Sequence, residues 1–99
     1  MNKEVLENSV SILDLEEEIF EVEGIRVVIR APTSQRVPCG YKKLFNRCLG
    51  DQRPLKLLLI RIERIIGEGV HLCVVDGTGH YVVNKKTLLG EIRESYVVV

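Results

Sequence analysis

Tryptophan is absent from this 99-residue chain, and rings are scarce: three Tyr and two Phe. A core built around large aromatic side chains is excluded, so Val, Ile and Leu must supply it. No Cys-x-x-Cys occurs, and the three cysteines, Cys39, Cys48 and Cys73, are odd in number without close pairing. That excludes a tidy disulfide framework and leads us to expect reduced thiols in a cytoplasmic protein. No apolar run approaches the roughly 18 to 20 residues of a membrane span. The N-terminus lacks a basic segment followed by an apolar run, so a secretory signal is not expected. Formal net charge is zero, which excludes a uniformly basic or acidic protein.

Apolar residues at 45% and charged residues at 28% describe a globular chain rather than a disordered one. A chain of this length forms one domain and buries about 60 to 65 per cent of its unfolded surface, a thin margin. Residues 1–15 read as an N-terminal arm or short helix and 16–99 as a single α+β domain. The zero net charge hides a layout. Residues 1–23 hold eight acids and one Lys, a net of −7; residues 24–64 hold ten bases and two acids, a net of +8; the remainder holds three bases and four acids, a net of −1. Such asymmetry marks either a surface for an acidic partner or two halves of one fold that neutralise each other.

The stretch from Asp51 to Val83 carries the clearest pattern. Asp51 reads as an N-cap, with Pro54 in the first turn. Leu55, Leu58, Leu59, Ile62, Ile65 and Ile66 make a stripe at helical spacing, and Gly67 ends it. Val70 to Val75 and His80 to Val83 then form a hairpin around Asp76-Gly77-Thr78-Gly79. Upstream, two alternating runs from Glu17 to Ala31 meet at Glu23-Gly24 and predict a first hairpin. Its core face holds Phe20, Val22, Ile25, Val27 and Ile29. Tyr41 to Leu49 predicts a short helix. Asn84 or Thr87 is placed to cap a last one, with Leu88, Leu89 and Ile92 facing inward. The expected fold is therefore α+β: two antiparallel β-hairpins joined in one four-stranded sheet, two central helices between them and a C-terminal helix.

Four sets of residues could carry function. Leu57 and Ile60 fall outside the main stripe of the central helix, where a small domain has little material to cover them. Val97, Val98 and Val99 make a β-branched end suited to strand addition. These five residues are the candidate interaction surface, for a protein partner or a second copy. Lys42, Lys43, Arg47 and Arg53, with Arg36 nearby, could contact phosphates or another polyanion. Tyr41 and Phe45 are expected in the core, however, so no aromatic platform accompanies these bases. Finally, if Val75 pairs with His80, then His71, Cys73 and His80 share one sheet face. These are zinc-ligand types, but alternate strand positions lie ~6.5 to 7 Å apart, too far for ligands at about 2 Å from one ion. We read them as the polar face of a half-buried hairpin, and we assign no metal, cofactor or catalytic residue. A one-residue change of register removes His80 from the set.

The run Val74-Val75-Asp76-Gly77-Thr78-Gly79, with Thr87 to Tyr96 after it, resembles small accessory modules of bacterial conflict (anti-phage) systems. The resemblance covers only the last third of the chain. It implies an accessory or adaptor role and assigns no residue. The residues themselves lead us to expect a non-enzymatic protein–protein interaction or regulatory module, with a homodimer as one form. A nucleic-acid or polyanion binder is the alternative.

Overall fold

Ser11 starts the first helix. Its backbone is extended and its hydroxyl accepts the Asp14 N–H at 3.0 Å, satisfying one of the helix's unpaired donors. The computed structural model describes residues 9–32 and 34–96. They form a small α+β fold of four helices and two antiparallel two-stranded sheets. In chain order these are β1 (Val10–Ser11), α1 (Ile12–Glu23), β2 (Arg26–Arg30), β3 (Arg36–Val37), α2 (Tyr41–Leu44), α3 (Leu55–Ile66), β4 (His71–Val75) and α4 (Leu89–Glu94).

The first hairpin expected at Glu17 to Ala31 does not form. Its first half is helix α1. The alternation of Ile19, Phe20, Glu21 and Val22 suggested a strand, but Ile12, Leu15, Ile19 and Glu23 lie on one helical face and all four are buried. Gly24 is a helix stop rather than a hairpin turn. It adopts φ 71, and its N–H bonds the Phe20 carbonyl at 2.8 Å. Phe20, expected in the core, points outward from α1.

Strand β2 pairs instead with β4, in the register Arg26↔Val75 to Arg30↔His71. The sheet β1–β3 is separate, with Val10↔Val37 and Ser11↔Arg36. The four-stranded sheet is therefore replaced by two short ribbons. Strand alternation puts Val27, Ile29, Leu72 and Val74 on the inner face of β2–β4, where they pack into the core.

The second hairpin turns where expected, but its register is one residue away. Asp76 N–H bonds the His80 carbonyl at 2.9 Å, so three residues, Gly77 to Gly79, make the loop. Gly79 supplies the positive φ of 87 that such a loop requires. Val75 consequently faces Tyr81, in an isolated bridge, and not His80. The return strand amounts to this one bridge.

Helix α3 buries Leu55, Leu58, Ile62 and Ile65, with Leu59 and Ile66 half-buried. Its N-cap is Pro54, not Asp51, and no side chain caps it. The first N–H groups are satisfied by the chain itself: Leu55 donates to Thr87 at 2.8 Å and Lys56 to Lys85 at 3.0 Å. In return, Leu89 donates to Arg53 and Gly90 to Asp51, so the entries to α3 and α4 interlock. The cap of α4 is Leu88, in place of Asn84 or Thr87. Helix α2 stops at Leu44 rather than Leu49, because Phe45 turns extended and the following loop is held from outside. Among the described residues, no helix is long and apolar enough to cross a membrane.

Candidate interaction surfaces

The loop after α2 is held by a buried carboxylate. Glu23 ends α1 and is 2% exposed. Its Oε1 accepts the Leu49 N–H at 2.9 Å and Arg93 Nη2 at 3.1 Å; its Oε2 accepts Arg61 Nη1 at 2.9 Å and the Tyr41 hydroxyl in a short bond. Arg61 also donates to the Arg47 carbonyl at 2.7 Å, and its guanidinium lies over the Phe45 ring at 4.7 Å. Burial, and then the bond to Glu23, pushes the Tyr41 phenol well above its ordinary value. A desolvated carboxylate stands only when its lone pairs are filled, and here they are. Among the described residues, no buried side-chain nitrogen or oxygen lacks a partner. Four donors from the chain itself fill the two carboxylate oxygens, and we read the hub as structural.

Two grooves of opposite charge lie outside the hub. The first, with a volume of about 410 Å³, runs between α1 and β2. Its apolar lining includes Leu13 and Phe20, which stay 64% and 41% exposed. Glu16, Glu17 and Glu21 border it, and among the described residues Arg26 is the only base in its lining. Two of these charges are engaged: Glu16 accepts the Ile29 N–H at 2.7 Å, and Arg26 lies over the Phe20 ring at 5.7 Å. The second groove, about 420 Å³, lies between α3 and β4. Leu59, Leu72 and Val82 form much of its apolar lining, and its lining also includes Arg30, Lys85, His71, Cys73 and Tyr81. Arg30 abuts Cys73 and Tyr81, and contact with the thiol, then with the phenol, raises the guanidinium above its ordinary value.

The residues singled out from the sequence fall as follows. Leu57 is half-buried and Ile60 is 39% exposed on α3, while Val97, Val98 and Val99 lie outside the described residues. Lys42, Lys43, Arg47 and Arg53 are all exposed, but they belong to a helix, a loop and a turn rather than to one helix face. Lys42 is ion-paired with Glu21, which is the main cause that raises its ammonium above the ordinary value. The shifted hairpin register separates His80 from His71 and Cys73. His80 bonds Thr78 through Nδ1 within the turn, and its N–H donates to Asp76 at 3.0 Å. Among the described residues, no cluster of three or more His, Cys, Asp or Glu could hold a metal ion.

Glu23, Leu13, Phe20 and the edge of β4 were not singled out from the sequence. One signal did point to Leu13 and Phe20: Ser11-Ile12-Leu13-Asp14 spells a helix start, which places both on the outer side of α1. No family model, curated protein or solved structure matches this chain significantly.

Proposed function

We propose that this chain is a small, non-enzymatic protein-interaction or regulatory module of the cytoplasm, engaging a protein partner or a second copy of itself. The observation that carries this reading is the α1–β2 groove. A helix whose inner face is fully buried leaves Leu13 and Phe20 exposed in part on its outer face, beside β2, with Glu16, Glu17 and Glu21 along the helix side of the groove and Arg26 on the strand side. Apolar side chains grouped in this way, with a polar border, are the ordinary form of a docking surface. The adaptor role implied by the resemblance to conflict-system modules is consistent with it.

The test combines solution mass with affinity capture from a native lysate, for the wild type and for Leu13→Glu. Leu13 is well exposed, so its substitution leaves the core intact. A dimer mass or a captured protein that disappears in Leu13→Glu supports the reading. A monomer mass at high concentration, with an unchanged capture profile, overturns it. Salt-dependent retention on heparin, weakened by joint replacement of Lys43, Arg47 and Arg53, would transfer the reading to a polyanion binder.

A further inference from the structure

We infer that the groove between α3 and β4 accepts an extended, acidic and apolar segment of a partner protein, which adds as a strand to the outer edge of β4 at Leu72. The inference deepens the interaction reading and rests on it, but it concerns a different surface.

The backbone supplies the first argument. In an antiparallel ribbon, the N–H and C=O of successive residues point alternately toward the partner strand and away from it. Ile29 donates outward, to Glu16, while Arg26 points inward, toward Val75. Leu72 faces Ile29 and Val74 faces Val27, so both present their backbone groups on the outer edge of β4. Val74 confirms this orientation, because its carbonyl accepts the Val82 N–H at 2.8 Å. The chain thus begins a third strand on this edge and then abandons it. The next residue, Val83, is 86% exposed. Among the described residues, nothing bonds the outward N–H and C=O of Leu72. An unpaired edge of this kind is a template for another strand.

Charge and shape decide the occupant. The groove beside Leu72 has a Leu59 and Val82 lining for apolar side chains, and among the described residues its lining includes Arg30 and Lys85 with no carboxylate. An extended peptide sends alternate side chains to opposite sides. One set can enter the apolar groove while the other, if acidic, meets the two cations. Main-chain bonds to Leu72 supply affinity, and the pockets select the side chains. A basic segment would meet like charge, which disfavours wrong partners.

The test uses an acetylated octapeptide of alternating valine and glutamate, with its valine–lysine counterpart as control, added to the full chain. Amide hydrogen exchange by NMR reads the edge directly. The glutamate peptide is expected to slow exchange of the Leu72 amide about tenfold, because that N–H gains a partner. The lysine peptide is expected to leave it unchanged, and Lys85→Glu to weaken the glutamate peptide about tenfold. Lys85 accepts the Lys56 N–H through its backbone carbonyl, which Lys85→Glu retains, and a thermal melt checks that the variant remains folded. Failure of the glutamate peptide to bind, or binding without protection of Leu72, overturns the inference. So does equal protection by an oligothymidylate, which would make the groove a polyanion site. A partner or dimer that depends on Leu13 but leaves Leu72 unprotected overturns this inference while the broader interaction reading stands.

Discussion

Arg93 grips Glu23 twice: its Nε donates to the Glu23 backbone carbonyl at 2.7 Å, and its Nη2 donates to the carboxylate at 3.1 Å. The same guanidinium holds Asp51 through Nη1 at 2.8 Å. Residues 70 positions apart are thereby fixed to each other and to the entry of α3. Removing one partner of a buried ion pair leaves the others desolvated and unpaired, which costs about 3–5 kcal/mol. Glu23→Ala is expected to lose stability of that order in urea denaturation, a large fraction of what a small domain possesses. Glu23→Gln keeps the shape and some of the bonds, so its loss is expected to be smaller. A Glu23→Ala variant less than about 1 kcal/mol below wild type would show that the hub does not organise the fold.

Tyr41 makes the same hub sensitive to alkali. Its phenol is held above its ordinary value in the folded chain, chiefly by burial and then by its bond to Glu23. An unfolded tyrosine loses its proton near pH 10. Above that pH the unfolded state binds fewer protons than the folded one, so stability falls as pH rises. Tyr41 therefore contributes fully below about pH 10, and its contribution is lost as pH climbs past that value. Urea midpoints measured from pH 8 to pH 11 are expected to decline more steeply for the wild type than for Tyr41→Phe. At neutral pH, Tyr41→Phe is expected to be less stable by about 1 kcal/mol, because Glu23 loses one donor. Parallel pH profiles for the two proteins would contradict this.

The elements most legible in the sequence are those whose apolar spacing and length favour one solution over its rival. Helix α3 carries a long stripe closed by Gly67, and its buried face follows that stripe. The stretch from Glu17 to Val22 reads as a strand on the alternation of Phe20 and Val22, yet the spacing of Ile12, Leu15 and Ile19 also fits the helix that forms. Tertiary context decides in favour of the helix: Glu23 is useful only at a helix end where Arg61, Arg93 and Tyr41 converge, and no local pattern shows those three. The outer edge of β4, unpaired at Leu72 among the described residues, was illegible for a related reason. It depends on a three-residue turn, in place of a four-residue one, and on the chain leaving β4 after Val82. Of the candidate surfaces, the helix start at Ser11 was the one available clue.

That start and its matching stop can be tested together. Ser11 satisfies the Asp14 N–H, and Ser11→Ala is expected to cost ~1 kcal/mol. Gly24 sits at φ 71 with open space around its Cα, so Gly24→Ala meets a conformational penalty and no clash. That penalty is about 1–2 kcal/mol. The two sites lie at opposite ends of α1, and their losses in urea denaturation are expected to add. A neutral Ser11→Ala would mean that β1, rather than the cap, fixes where α1 begins.

Tyr96 closes the open end of the β2–β4 ribbon. Its hydroxyl accepts the Arg26 N–H at 3.0 Å and donates to the Val75 carbonyl in a short bond, so it stands between the two residues of the terminal pair. Its ring meets Phe20 edge-on, with centroids 6.1 Å apart, which connects the ribbon to the outer side of α1. Tyr96→Phe preserves the ring contact and removes the bridge. It leaves one backbone donor and one acceptor without their partner, a loss of about 1–2 kcal/mol. The effect is expected to be local: exchange of the Arg26 amide accelerates, while exchange of Val28, deeper in the ladder, tracks only the global change in stability. Equal acceleration at both amides would show that the whole ribbon opens as one unit. Unchanged exchange at Arg26 would show that the strands close directly on each other without the hydroxyl.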